Sequence, residues 1–371
     1  MPHTILQQLI SFKTVSKDKE EGKRAIELIK KELSNLSLFI NEYDSNGFAS
    51  IVFSTKPTKN PKVILQGHLD VVPGSEKVFI PQIREGRLYG RGAFDMKFAI
   101  ASYIKLLKDL GKDNLKNYDI AVMITTDEEL GGEHGVKHVL NQGYRAKVCV
   151  LPDGGENWSF QEGAKGVYHL EVEAKGKSAH GSRPWEGKNA LEDLTDFLNV
   201  LRSEFVKEPC GDKRHYHNTL NVGKIEGGNA ANKIPDSARA LIDMRFTPDT
   251  KLEDLKKLVK NTQKKYKNIT VEELATGNSY RVDKNNRYLK LFMRMVKNKL
   301  GIKPEFIFSH GSSDARFFLD KNIPTILLRP TGGNIHAEEE WIDVEDLQRF
   351  YRVLKDFVTK TGRINSEPKG A

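Results

Sequence analysis

Two rhythms of apolar and polar positions alternate along the chain. Short runs at residues 63–65, 120–125 and 147–151, apolar except for Thr125 and Lys147 at their ends, lack any polar alternation, as expected of strands buried on both faces. Between them, apolar positions recur three and four apart. Ala25, Ile26, Ile29, Leu33 and Leu36 form one such stripe, and Ile100, Ile104 and Leu107 another. These predict amphipathic helices over 18–36 and 96–110, with a further helix over 134–142. An earlier helical pattern breaks at Thr14-Val15-Ser16. Short strands are predicted at 39–40 and 49–53. Residues 74–94, with Pro81, Gly86, Gly90 and Gly92, read as a loop-rich insertion. Strand, polar tip and helix in alternation predict an α/β sheet.

The rhythm changes after Gly163. Residues 167–174 alternate strictly, and the pattern then runs helix (189–205), strand (220–225), strand (238–246), helix (251–265), strand (269–274). That order predicts a smaller two-layer α+β insert over 166–276. Residues 1–165 and 277–371 would form a larger, discontinuous domain. In the latter, helices are predicted at 288–300, 315–319 and 344–361, and strands at 305–308 and 325–328. The polar end, 365–371, is expected to be disordered.

Composition narrows the class. The 371 residues are 38% hydrophobic and 29% charged, as in a globular protein. No run approaches the ~20 apolar residues that span a bilayer, so no membrane partner is expected. The N-terminus lacks a basic-then-apolar leader pattern, which predicts a cytoplasmic protein. Cys149 and Cys210 are isolated, forming neither a disulfide framework nor a zinc knuckle. The net charge is +9. Its lysines are spread over predicted helix faces with few interleaved aromatics, which predicts a solvated basic surface and not a nucleic-acid binder. The charge can still favour small anionic substrates.

Candidate chemistry gathers at the strand tips, where α/β sheets place their ligands. His68 and Asp70 follow the first buried run and, in extended backbone, would project side by side. Asp95 precedes a helix, Glu128-Glu129 and Asp153 end two strands, and His336 lies in a late loop. Two imidazoles and several carboxylates without thiolate suit zinc, with cobalt or manganese as substitutes. Five ligands are too many for one tetrahedral ion with an open position. They suit two ions sharing a carboxylate. Of the adjacent pair Glu128-Glu129, one can ligate while the other acts as general base. His134 and His138 are four apart on a helix without an evident third ligand. His215 and His217 lie in a polar loop of the insert, and His310, near the candidate site by position, is open to either reading and is left unassigned.

Six motifs, in order, carry a family resemblance. They are Gly67-His68-Leu69-Asp70-Val71-Val72-Pro73, Gly90-Arg91-Gly92-Ala93-Phe94-Asp95-Met96-Lys97, Thr126-Asp127-Glu128-Glu129, Pro152-Asp153, Ser178-Ala179-His180 and Gly333-Asn334-Ile335-His336-Ala337. The chain resembles the di-zinc amidohydrolases that include aminoacylase, carboxypeptidase G, acetylornithine deacetylase and succinyl-diaminopimelate desuccinylase. The resemblance implies a mixed-sheet catalytic domain with helices on both faces, and an inserted lid that also forms a homodimer interface. It implies that His68 and Asp153 bind one zinc, Glu129 and His336 the other, and that Asp95 bridges them. Asp70 would orient His68, and Glu128 would be the general acid/base for metal-activated water. The Asp95–Met96 bond would be cis. His180 would polarise the scissile carbonyl in a partner subunit, with Asn232, Arg245, Gly311 and Gly333 holding substrate. The implied substrate is a small N-acyl amino acid or short peptide with a free carboxylate. Aspartate at position 153 resembles the dipeptidase and carboxypeptidase branches, whereas the surroundings of His336 resemble the desuccinylase and deacetylase branch.

Overall fold

A computed structural model describes residues 1–206 and 216–364. Cys210, His215 and the predicted tail lie outside them. By their internal contacts the residues form two compact units. Unit 1 comprises Met1–Glu162, Val282–Ile307 and the chain from Ser313 on; unit 2 comprises Gly163–Arg281 and Phe308–Ser312.

Unit 1 is built on a six-stranded mixed sheet. Its order is Phe39–Ser45, Phe48–Ser54, Ile120–Thr125, Val63–His68, Val148–Val150, Thr325–Ile326. The first three strands pair antiparallel and the rest parallel. Every residue of Val63–His68 and of Ile120–Thr125 is buried, which requires cover on both faces and explains their unbroken apolar runs. The helix Lys97–Leu110 packs on Val63–His68, and Lys19–Leu33 packs on Phe48–Ser54.

Two hairpins extend beyond the predicted strands. The first joins Phe39–Ser45 to Phe48–Ser54 through Asn46-Gly47, at φ of 52° and 82°. Positive φ at both central residues makes the turn twist with its strands, and Asn-Gly tolerates it best. The second, Gln82–Arg84 with Arg87–Tyr89, turns at Glu85-Gly86 in the same way (φ 49° and 77°). It lies within the segment expected to be loop. Its strands are short and Gln82–Arg84 is wholly exposed, so no apolar alternation marks it. Through Trp341–Asp343 this hairpin joins Gly332–Gly333 in one small sheet, which ties the late loop to the chain before Asp95.

Unit 2 follows the predicted element order. The antiparallel sheet runs Thr219–Gly227, Ser237–Phe246, Gly166–Lys175, Ile269–Gly277. The helix Ala190–Phe205 packs on three of these strands and Leu252–Gln263 on the fourth. Leu170, Val172, Phe197, Leu201 and Ile242 centre its core. Phe197 is fully buried, edge-on to Tyr266 at 5.8 Å. Phe197→Ala is expected to destabilise this unit by about 3–5 kcal/mol, read as an earlier urea transition; a loss below about 1 kcal/mol would contradict the core assignment. Among the described residues no helix is long and apolar enough to cross a membrane.

Candidate metal centre

Six acidic or imidazole groups meet where the central strands of unit 1 end. His68 is the last residue of its strand. Glu128 and Glu129 open a short 3-10 turn after Ile120–Thr125, and Asp153 follows Val148–Val150. Asp95 precedes the helix that starts at Lys97, and the Asp95–Met96 peptide bond is cis. His336 has a left-handed φ of 65°, a conformation that costs energy in a residue with a Cβ and persists where surroundings impose it.

Ligand atoms of His68, Asp95 and Asp153 all lie within 4.8 Å of one another, and so do those of Asp95, Glu129 and His336. Asp95 belongs to both groups. Its Oδ1 is 3.4 Å from His68 Nε2, and its Oδ2 is 3.4 Å from His336 Nε2. His336 Nε2 also lies 3.2 Å from Glu129 Oε1. Glu128 is in neither group, yet its Oε2 stands 3.9 Å from His68 Nε2.

Asp70 does more than the sequence suggests. The nearest partner of His68 Nδ1 is the Asp70 carbonyl oxygen, at 3.0 Å; the carboxylate is 3.5 Å away. That carboxylate accepts from the backbone amides of Glu128 (3.1 Å) and Glu129 (3.0 Å) and from Ser16 Oγ (3.0 Å). The carboxylate therefore stands beside the imidazole, as expected, and also serves backbone amides 58 and 59 residues away. Asp70 thus fixes the turn that carries both glutamates.

A second set of supports was not singled out from sequence. Arg91 is buried and donates to the carbonyls of Pro73 (3.3 Å), His336 (3.0 Å) and Ala337 (3.1 Å). It also pairs with Glu340 Oε2 at 3.0 Å. The other oxygen of Glu340 accepts from the amides of Phe94 (2.9 Å) and Asp95 (3.0 Å). One buried ion pair therefore holds the His336 loop and the Asp95 backbone together. Glu340→Ala would strand the Arg91 charge, and an expected cost of about 3–5 kcal/mol follows. Urea denaturation checks this; a loss under about 1 kcal/mol would show that the pair is not the clamp. Arg329, also buried, donates to Asp95 Oδ1 (3.1 Å) and Asp153 Oδ1 (2.6 Å). Arg91 lies inside a recognisable motif. Arg329 and Glu340 gave no signal, because their partners are far away in sequence.

The electrostatics are those of a crowded anionic site. Burial, reinforced by the Asp153 charge, holds the Glu128 carboxyl well above the usual range. Burial and the Asp95 charge push Asp153 up to about 7. Burial alone would depress His68, but Asp70 and Asp95 overcome it and hold it well above its ordinary value. Contacts with Asp95 and Glu129 raise His336 to about 10. Negative charge thus exceeds what nearby cations neutralise. In addition, His68 Nε2 and Asp153 Oδ2 are buried without a hydrogen-bond partner. Orphaned ligand atoms facing one another, in an imidazole–carboxylate set, fit a divalent cation.

Unit 2 carries the remaining candidates. His180 Nδ1 lies 2.8 Å from Ser182 Oγ, and its neighbour Gly181 donates to the Asn232 carbonyl at 2.7 Å, so His180 and Asn232 share one corner. Arg245 donates to Asp243 at 2.7 Å. Gly311 closes a turn onto Ser309 Oγ. Lys165, not singled out from sequence, is buried with its ammonium 5.6 Å from the Tyr216 ring centroid. Gly333 belongs to unit 1, paired with Trp341. Of the histidines without a pattern, His134 stacks on Phe48 at 5.5 Å and His138 meets the Tyr43 ring edge at 6.2 Å.

Comparison with known proteins gives these groups a context. Succinyl-diaminopimelate desuccinylase of Rickettsia bellii is 26% identical, over 99% of this chain and 98% of its own. That of Rickettsia felis is 29% identical, over 95% and 98%. The fold is that of a Staphylococcus aureus tripeptidase (TM-score 0.77, 21% identity, 96% of each chain). An M20 family metallo-carboxypeptidase of Sulfolobus solfataricus shares it as well (TM-score 0.78, 18% identity, 96% of this chain and 98% of that one). Residues 64–360 match Peptidase family M20/M25/M40. The resemblance read from the six motifs is therefore correct, and this chain belongs to Peptidase family M20/M25/M40 as a metal-dependent hydrolase of amide bonds.

Proposed function

We propose that the protein is a two-zinc hydrolase of an N-acyl amino acid, with cobalt or manganese able to replace zinc. The observation that supports this most is the sharing of Asp95 between two ligand groups. His68 and Asp153 hold one ion, Glu129 and His336 the other, and Asp95 bridges. When bound, such ions polarise the scissile carbonyl and lower the pKa of water. Glu128 accepts the proton of the attacking water and returns it to the leaving amine. Asp70 keeps Glu128 in place through the backbone.

The acyl group is the less constrained part. The desuccinylase relatives, matched over nearly their full length, favour an N-succinyl diamino acid or similar N-acyl amino acid. The biosynthetic deacylase reading is thus preferred over a dipeptidase. Short peptides remain the second reading because position 153 is aspartate. His180 is assigned to the scissile carbonyl oxygen, and Asn232, Arg245, Gly311 and Gly333 to the rest of the substrate. Lys165 joins them as a buried ammonium beside the Tyr216 ring. A homodimer through unit 2 and a cytoplasmic site of action complete the reading. The test is a panel of N-succinyl and N-acetyl amino acids against di- and tripeptides, each assayed with zinc, cobalt and manganese. The N-succinyl substrates should give the highest kcat/KM. Preference for an unmodified dipeptide would favour the second reading.

A further inference from the structure

The two ligand groups differ in one respect that the donor set alone does not reveal. Arg329 Nη2 donates to Asp153 Oδ1 at 2.6 Å and to Asp95 Oδ1 at 3.1 Å. Its guanidinium also lies 5.5 Å from the Phe94 ring centroid. No hydrogen bond or ion pair joins Arg329 to Glu129 or His336 among the described residues. A fixed cation therefore sits against Asp153 and the His68-side oxygen of the shared Asp95, and against neither Glu129 nor His336. Guanidinium keeps its proton at any working pH, so this charge cannot be titrated away.

We infer that Arg329 makes the two ion positions unequal, weakening the one formed by His68, Asp95 and Asp153 relative to the one formed by Asp95, Glu129 and His336. The inference rests on the two-ion reading above. Two physical effects act in the same direction. First, the guanidinium occupies Oδ1 of both aspartates. On Asp153 this leaves Oδ2, buried and unpartnered, as the free donor. On Asp95 the occupied oxygen is the one nearer His68, while Oδ2, nearer His336, is untouched. Second, a permanent positive charge repels an incoming dication at short range where water is scarce. An opposing effect exists, since Arg329 also relieves repulsion among the carboxylates. An arriving ion relieves that repulsion equally well, so the cation–cation term decides.

Metal retention tests this without relying on activity. Purified protein is loaded with excess zinc and passed through a column with a mild chelator, and metal per chain is measured by mass spectrometry. Chelator competition then gives the two stepwise constants. Wild type should keep about one ion, with steps separated by about tenfold or more. Arg329→Gln should keep about two, with the steps converging. Arg329→Lys, which restores the charge, should return toward the wild-type pattern, whereas loss of a merely structural contact would not be repaired by charge alone. Two equally tight ions in wild type overturn the inference by themselves, even if Arg329→Gln fails to fold. An unchanged separation in folded Arg329→Gln overturns it too. A wild type that holds no zinc before the column overturns the two-ion reading and this inference with it.

Discussion

Glu128→Ala is expected to lower kcat by about 10²–10⁴-fold while leaving bound metal unchanged. The expectation combines two features. Glu128 reaches toward His68 but belongs to neither ligand group. Its backbone is held by Asp70, not by its own side chain, so truncation should not move Glu129. Glu128→Gln tests the same point with shape retained, because an amide cannot take the proton. The checks are steady-state kinetics alongside metal analysis of the same sample. Activity within about tenfold of wild type would remove Glu128 from the proton-transfer role. Loss of metal with activity would recast it as a ligand.

Asp95→Ala should be the most damaging single change at the centre. Asp95 is the one residue common to both groups, and it offers a different oxygen to each histidine. Its removal is expected to cost both ions, and with them all measurable hydrolysis. Asp153→Ala and Glu129→Ala should each impair chiefly one position. Second-sphere partners of metal sites typically change affinity by about 10–100-fold, so Asp70→Asn should be milder than any ligand loss. Zinc titration of each variant without a chelator wash, read as ions bound per chain, separates these cases. An Asp95→Ala protein that still holds two ions would contradict the shared-ligand geometry.

The parts of this protein that could be read from sequence are those with local signatures. Val63–His68 and Ile120–Thr125 announce themselves as apolar runs because both faces are covered. His68, Glu129 and Asp153 lie at or just after the ends of buried strands, whereas Asp95 precedes a helix and His336 lies in a loop, where only the motifs marked them. The alternation of Gly166–Lys175 likewise marks a sheet with one face on helices. What was missed depends on distant partners or exposed backbone. The Gln82–Arg84 hairpin strand has no buried side chain to create a pattern. Arg91 with Glu340, and Arg329 with Asp95 and Asp153, pair across 176 to 249 residues, where neither periodicity nor spacing can register. Asp70 shows the limit of local geometry. Extended backbone placed its carboxylate beside His68, but gave no hint of the glutamate amides it also accepts from, 58 and 59 residues away.

Two ions are proposed to sit in two ligand groups that share Asp95. Anomalous diffraction from zinc-loaded crystals, recorded above and below the zinc edge, tests it most directly. Two peaks are expected in each chain, one beside His68 and Asp153 and the other beside Glu129 and His336, with Asp95 touching both. A single peak coordinated by all five residues, or zinc bound elsewhere with these side chains empty, would contradict it.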